Sequence, residues 1–329
     1  MIHVDARINA LERWLAAQLR GAPLSLEAAS EDASFRRYWR ARLGDGRTLV
    51  AMDAPPDRED CRQYVRVARL LREAGLNAPE VHAQDLEQGF LLLTDLGTTS
   101  YLAALTEASA PRLFADATDA LVRWQLATRA GELPRYDEVL LRREMSLFPE
   151  WYVGRHLGLQ LAPPQQQALE GVFALLLKSA LAQPAVYVHR DFMPRNLMVC
   201  EPNPGVLDFQ DAVIGPLSYD VASLLRDAFV SWEEERVLDW CVRYWEKARA
   251  ARLPVAPDFA EFWRAFEWMG LQRHLKVLGI FARLAYRDAK PAYLEDTPRF
   301  LGYVRPVATR YAALAPLARL LDELQVQAA

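Results

Sequence analysis

The chain has 329 residues, 52% of them hydrophobic, which is enough for a sizeable core and suits two domains. Its formal net charge of −4 gives no grounds for nucleic acid as the main partner, and no stretch approaches the ~20 apolar residues of a membrane-spanning helix. The cysteines Cys61, Cys200 and Cys241 share no metal-ligand or disulfide-framework spacing, so reduced thiols in a cytoplasm are expected.

The N-terminal Met1-Ile-His-Val-Asp-Ala-Arg7 has neither the basic head nor the apolar run of a signal peptide, in keeping with that location. Residues 5–20 then place Leu11, Trp14, Leu15 and Leu19 on one face of a helix. Ser34 to Leu43 and Thr48 to Ala54 read as strands joined by the turn Gly44-Asp-Gly46. A helix is predicted over 57–74, with Gly75 as its C-cap. Short strands follow around Val81 and at Phe90–Thr94, with Glu87-Gln-Gly89 as the turn between them. Beyond about residue 98 helical spacing dominates, over 111–130, 164–182, 218–229, 233–251, 258–287 and 298–325. The exception is a short strand, Ala185-Val-Tyr-Val188, followed by a small hairpin with arms Asn196–Val199 and Val206–Asp208 around Glu201-Pro-Asn-Pro-Gly205. The class is α+β. The expected domains are a β-rich 1–97 and a mainly helical 98–329, with the boundary at Thr94–Thr98.

The strand and hairpin carry the most informative pattern, His189-x-Asp191-x4-Asn196 followed by Asp208-Phe209. Phosphoryl transfer needs a carboxylate to orient the attacking hydroxyl and accept its proton. It also needs an amide and a second carboxylate to hold Mg²⁺ on the nucleotide phosphates. Asp191 is the candidate catalytic base, and Asn196 and Asp208 are the candidate metal ligands, hard oxygen donors suited to Mg²⁺. His189 is expected to tie the loop to the core. Arg195 has two readings, a phosphate contact or a solvated loop charge. Only twelve residues separate Asp208 from Asp220 and no Ala-Pro-Glu follows, so no activation segment for a peptide substrate fits and a small acceptor is indicated.

Together these motifs resemble the aminoglycoside phosphotransferase and choline kinase-like superfamily, the small-molecule relatives of protein kinases. Several stretches are similar to the bacterial anomeric kinases for N-acetylmuramate and N-acetylglucosamine: Ala33–Trp39, Val50–Pro56, Leu91–Gly97, Arg143–Trp151, Asp208–Ala212 and Leu271–Lys276. The resemblance implies a two-lobe protein-kinase-like fold, with a small β-rich N-lobe that binds ATP and a larger helical C-lobe that holds the acceptor. It implies ATP and Mg²⁺ as cofactors, a sugar 1-phosphate as product, and neither nucleic acid nor membrane as partner. In that reading the backbone of Asp95 and Leu96 meets adenine, Ser34 lies in the phosphate loop, and Asp220 supports the catalytic loop. The acceptor would meet Arg143, Glu144, Arg273 and His274, with Lys276, Trp151 and Trp268 as further candidates. Asp211 is expected to help in the site, by holding a second ion's water, binding substrate or capping a turn.

The chain departs from the kinase pattern at one point. Val50-Ala-Met-Asp53 stands where the third strand would supply a phosphate-binding Lys, and a carboxylate cannot neutralise phosphate. Arg37 is the first choice to replace that cation and Arg36 the second, on opposite faces of their strand, with Glu59 as a possible partner. Two rival readings stand beside the sugar kinase. One is a kinase of another hydroxyl acceptor, where an aminoglycoside would call for a ring of carboxylates and choline for an aromatic cage. The other is a non-catalytic nucleotide-binding module, which the missing Lys would suit.

Overall fold

The computed structural model describes residues 6–20, 24–30 and 35–328. They divide into two compact units. One comprises the described residues up to Ala104 together with Asn196–Asp211, and the other Leu105–Arg195 with the described residues from Ala212 onward. No helix among the described residues is long and apolar enough to cross a membrane.

The first unit is built on a five-stranded sheet of order β1-β2-β3-β5-β4, from β1 (Leu24–Ser30), β2 (Arg37–Leu43), β3 (Thr48–Asp53), β4 (Val81–Asp85) and β5 (Phe90–Thr94). Every pairing in it is antiparallel. Helix α1 (Ala6–Gln18) lays Leu11, Trp14 and Leu15 on Ala51, Phe90 and Leu92 of the central strands, as its apolar spacing requires. Helix α2 (Cys61–Glu73) starts later than its periodicity predicts. The Asp60 side chain accepts the Arg62 amide at 2.9 Å and sets the N-cap, after a turn at 56–58 in which the Arg58 and Glu59 N–H groups return to the Pro55 carbonyl. Gly75 ends it with φ +76°, and amides of Gly75 and Leu76 return to Arg72 and Leu71.

Strand β1 was not expected from the sequence. Its Leu-Ser-Leu-Glu-Ala-Ala-Ser composition has little strand propensity, and it forms because β2 offers an open edge. The predicted strand from Ser34 begins at Arg37, and Ser34 itself lies outside the described residues. A short helix α3 (Tyr101–Ala104) and the hairpin Leu197–Met198 with Gly205–Val206 complete the unit. The hairpin is joined to it by Val199 N–H on the Thr99 carbonyl and Val206 N–H on the Asn77 carbonyl, both 2.8 Å.

The second unit is mainly helical: α4 (Ala110–Leu126), α5 (Glu138–Met145), α6 (Pro163–Leu181), α7 (Tyr219–Leu225), α8 (Glu234–Ala250), α9 (Phe259–Arg287), α10 (Thr297–Arg310) and α11 (Ala315–Ala328). Three expectations need correction. The single helix predicted over 298–325 is two, broken at Tyr311 (φ −109°, ψ 115°), whose hydroxyl donates to buried Glu267 at 2.6 Å. The helix predicted to reach 229 stops at Leu225, because Asp227 turns its carboxylate back onto the amides of Phe229 and Val230. A π-helical segment, Phe148–His156, appears where no element was expected. It packs on α9 at Gly279, where a Cβ would stand 2.4 Å from the Leu147 carbonyl.

Strand β6 (Ala185–Val188) pairs antiparallel with Val213–Pro216, a partner the sequence did not reveal. This ribbon emerges from the helical core directly into the His189-Arg190-Asp191 loop.

Candidate functional site

In the first unit the hairpin brings Asn196 and Asp208 together. The Asn196 amide donates to Asp208 Oδ2 at 3.2 Å, and the Leu207 N–H reaches the Asn196 carbonyl at 2.9 Å. Asp208 holds φ +60°, a left-handed conformation that a non-glycine residue adopts at a cost of ~1–3 kcal/mol and that clusters at functional sites. Its neighbour Phe209 is fully buried, 4.7 Å from the Tyr64 ring, which anchors the turn. Gln210, not foreseen as a site residue, donates from Nε2 to Asp208 Oδ1 at 2.9 Å, and its own Oε1 is buried without a partner. One carboxylate beside two amide oxygens is a donor set that fits a hard cation such as Mg²⁺, which takes few protein ligands and keeps water on its other positions. Asp211 is exposed at the end of this segment.

The arginines expected to meet phosphate are placed differently from each other. Arg37 is bidentate on Asp53, with Nε at 3.0 Å and Nη2 at 2.5 Å from Oδ2, while Arg7 of α1 holds the other oxygen. Asp53, fully buried, is therefore the tie between α1, β2 and β3. Arg36 lies 3.8 Å from Glu59. Just beyond β5, the side chain of Asp95 is held by Arg40 of β2, at 2.7 and 3.1 Å, and accepts the Gly97 N–H at 3.0 Å. That clamp keeps the Asp95 carboxyl below its ordinary range against the opposing pull of burial. Leu96 is buried and packs toward Gly205, where a Cβ would stand 3.0 Å from it.

In the second unit the loop is held through its backbone. Asp220, fully buried in the first turn of α7, accepts the N–H groups of His189 at 2.7 Å and Arg190 at 2.9 Å. Burial pushes its carboxyl up to about 7, although the two amides pull the other way. Arg190 has φ +77°, so the turn that presents Asp191 is left-handed at a residue with a side chain. The His189 ring is buried edge-on to Phe192, and its Nδ1 accepts the Asp191 N–H at 3.3 Å. Arg195 lies over the Phe229 ring at 5.3 Å.

The expected acceptor residues are scattered in character. Glu144 is buried and bonded by Arg190, Lys276 and Tyr136, so its oxygens are occupied within its own unit. Lys276 and Arg190 hold its carboxyl below the ordinary range despite the cost of burial. His274 is fully enclosed, stacked on Tyr303 with ring centroids 4.9 Å apart, and burial drives its ring well below the usual imidazole range. Arg273 is likewise buried, and its charge favours the ionised forms of Asp220 and Asp227. Arg273, His274 and Lys276 of α9 are thus all interior. Arg143, in contrast, is exposed on α5. Trp151 is half-buried in the π-helical segment, and the Trp268 ring meets Tyr311 edge-on. Tyr136 and Tyr219 were missed as neighbours of the loop, since nothing in their local spacing marks a partner so distant in sequence.

The model of the phosphotransferase enzyme family matches residues 25–263. Among curated proteins, the chain is 53% identical to the N-acetylmuramate/N-acetylglucosamine kinase of Pseudomonas putida, over 98% of both chains. It is 52% identical to the protein of the same name from Neisseria meningitidis serogroup B, over 95% of both. Among solved structures, aminoglycoside phosphotransferase APH(2'')-Ib with bound ADP superposes with a TM-score of 0.60 at 15% identity, covering 91% of this chain and 98% of that one, a likeness of fold.

Proposed function

The chain belongs to the phosphotransferase enzyme family, and from that premise we propose that it is an ATP- and Mg²⁺-dependent sugar kinase. Its acceptor is the anomeric hydroxyl of N-acetylmuramate or N-acetylglucosamine, and its product the sugar 1-phosphate, made in the cytoplasm during recycling of cell-wall sugars. The observation that carries this reading is the end-to-end likeness to kinases named for those two sugars.

The chemistry divides among the side chains already described. Asp191 orients the sugar hydroxyl and takes its proton as the sugar oxygen bonds to the γ-phosphorus. The bond from that phosphorus to the bridging oxygen breaks, and ADP leaves with the electron pair. The transition state is loose, so the carboxylate works more by positioning than by basicity. Asp220 supports this by fixing the two amides that precede Asp191. Asn196 and Asp208 would hold Mg²⁺, which neutralises charge building on the phosphate oxygens. The Asp95 and Leu96 backbone takes the adenine edge, with Arg40 keeping the Asp95 side chain out of the way. Arg36, facing Glu59, is the phosphate-binding cation in place of the third-strand Lys. Arg37 is engaged on Asp53, which has a structural partner set and no call for a nucleotide.

The test is ADP release with ATP, Mg²⁺ and a panel of N-acetylmuramate, N-acetylglucosamine, choline, homoserine and an aminoglycoside, with phosphorus NMR of the product. Turnover confined to the amino sugars, with the phosphate coupled to the anomeric proton, is expected. Turnover only with another acceptor, or ATP binding with no turnover at all, would overturn the reading.

A further inference from the structure

Behind the catalytic loop lies a buried ionic cluster that the reaction as written does not use. Glu144 is its centre, with a side chain only 6% exposed. Its Oε1 takes both the Arg190 guanidinium and, at 3.0 Å, the Lys276 ammonium from α9. Its Oε2 accepts the Tyr136 hydroxyl. Lys276 also donates to the Tyr219 hydroxyl at 3.1 Å, and the Tyr136 ring lies 5.5 Å from the Arg190 guanidinium carbon. Separate stretches of the chain thus meet at Glu144, which together with Tyr136 holds the one side chain that immediately precedes Asp191.

Burying three ionised groups is costly, and replacing such a set by apolar residues often leaves stability unchanged or improved. Its presence calls for a reason other than stability. The backbone supplies one. Arg190 sits at φ +77°, a conformation that persists only when its surroundings over-determine it. Asp220 holds the amide side of that residue and Glu144 holds its side chain.

We infer that Glu144 and Lys276 are positioning residues for the catalytic loop, fixing the Arg190 side chain while Asp220 fixes its amide, so that Asp191 is aimed before substrate arrives. This rests on the kinase reading above. In kinases that are switched on by phosphorylation, an added phosphate recruits arginine to order a mobile segment. Here the anion is a carboxylate of the chain itself, enclosed with its counter-ions. The loop is assembled on folding, and no modification is needed to set it.

The test compares Glu144→Gln, Lys276→Met and the double variant, with Lys276→Arg as the conservative control. Each of the first two removes a charge-assisted hydrogen bond, so kcat is expected to fall about 10- to 100-fold with KM for ATP and sugar within about threefold, and Lys276→Arg to recover most of the loss. The double variant removes one charge of each sign and keeps the net charge of the cluster. Its thermal midpoint should return toward wild type while kcat stays low, whereas a purely structural cluster would recover both. Wild-type kcat in Lys276→Met, or recovered kcat in the double variant, overturns the inference. If the single variants do not fold, amide exchange at residues 189–191 in the double variant decides. Faster exchange than wild type supports positioning, and unchanged protection refutes it. Wild-type protein assayed alongside separates the two claims, since failure of its sugar turnover sinks the kinase reading and leaves the exchange measurement to judge the loop.

Discussion

The carboxylate of Asp220 accepts the backbone N–H of His189 at 2.7 Å, in an interior where neither residue is reached by solvent. A buried carboxyl held up at about 7 is anionic only at some cost, so this bond links loop geometry to pH. The unfolded carboxyl titrates near 3.8. Because the folded value lies above it, the group's contribution to stability is full below that value and is lost as pH rises through about 7. Wild type should therefore lose stability relative to Asp220→Asn between about pH 4 and pH 7, and the difference should level off above. Denaturant titrations of both proteins at several pH values check this. A difference that does not change with pH would contradict it.

Arg36 and Arg37 are adjacent in sequence but have separate partners, Glu59 and Asp53. Arg36→Met should raise KM for ATP about tenfold or more, the loss of one charged contact to phosphate, with little change in melting temperature. Arg37→Met should do the reverse. It removes one of the two arginines, Arg7 and Arg37, that hold the fully buried Asp53, and should cost about 1–3 kcal/mol of stability. Steady-state kinetics and thermal melts on the pair settle which arginine serves the nucleotide. The opposite pattern would reverse the assignment.

Gln210 orients the carboxylate assigned to Mg²⁺. Partners of this kind typically affect metal affinity about 10- to 100-fold. Gln210→Leu should raise the Mg²⁺ concentration for half-maximal activity by that factor, with kcat at saturating Mg²⁺ nearer to wild type. A magnesium titration that superimposes on wild type would remove Gln210 from this role.

Gly279 lets α9 meet the segment at Leu147 backbone to backbone. Gly279→Ala must push those elements apart, because the obstacle is a carbonyl and not a flexible side chain. The expected cost is about 1–3 kcal/mol, read from the denaturant midpoint. Gly302→Ala is the control, since nothing lies within 4 Å of the added carbon there.

What could be read in the sequence was what is encoded locally. The apolar face of α1, the turn at Gly75 and the hairpin that joins Asn196 to Asp208 each follow from residues within one or two turns of each other. The α+β class followed from the elements in order, and the resemblance to kinases from the motif that sets Asp191, Asn196 and Asp208 at their spacing. What could not be read depends on partners far along the chain. Strand β1 exists through pairing with β2, and Val213–Pro216 through pairing with β6. The interior placement of Arg273, His274 and Lys276 depends on what surrounds α9, since i, i+1 and i+3 spacing fits a charged exterior as well as a buried network. The ties of Arg37 to Asp53 and of Arg190 to Glu144 were likewise invisible, because a charge in sequence does not name its counter-ion.

The hairpin at Asn196–Asp211 belongs to the unit that is otherwise built from the first part of the chain. Asn77 is bonded to it three times, through its carbonyl to Val206 N–H at 2.8 Å and through its side-chain amide to the Pro202 carbonyl at 2.6 Å and the Cys200 sulfur at 3.3 Å. During synthesis the ribosome releases Asn77 long before any of these partners exists. The early segment must wait, incomplete, until much of the helical unit has emerged, and a gene fragment ending at Ala104 would yield a sheet domain deprived of its last piece.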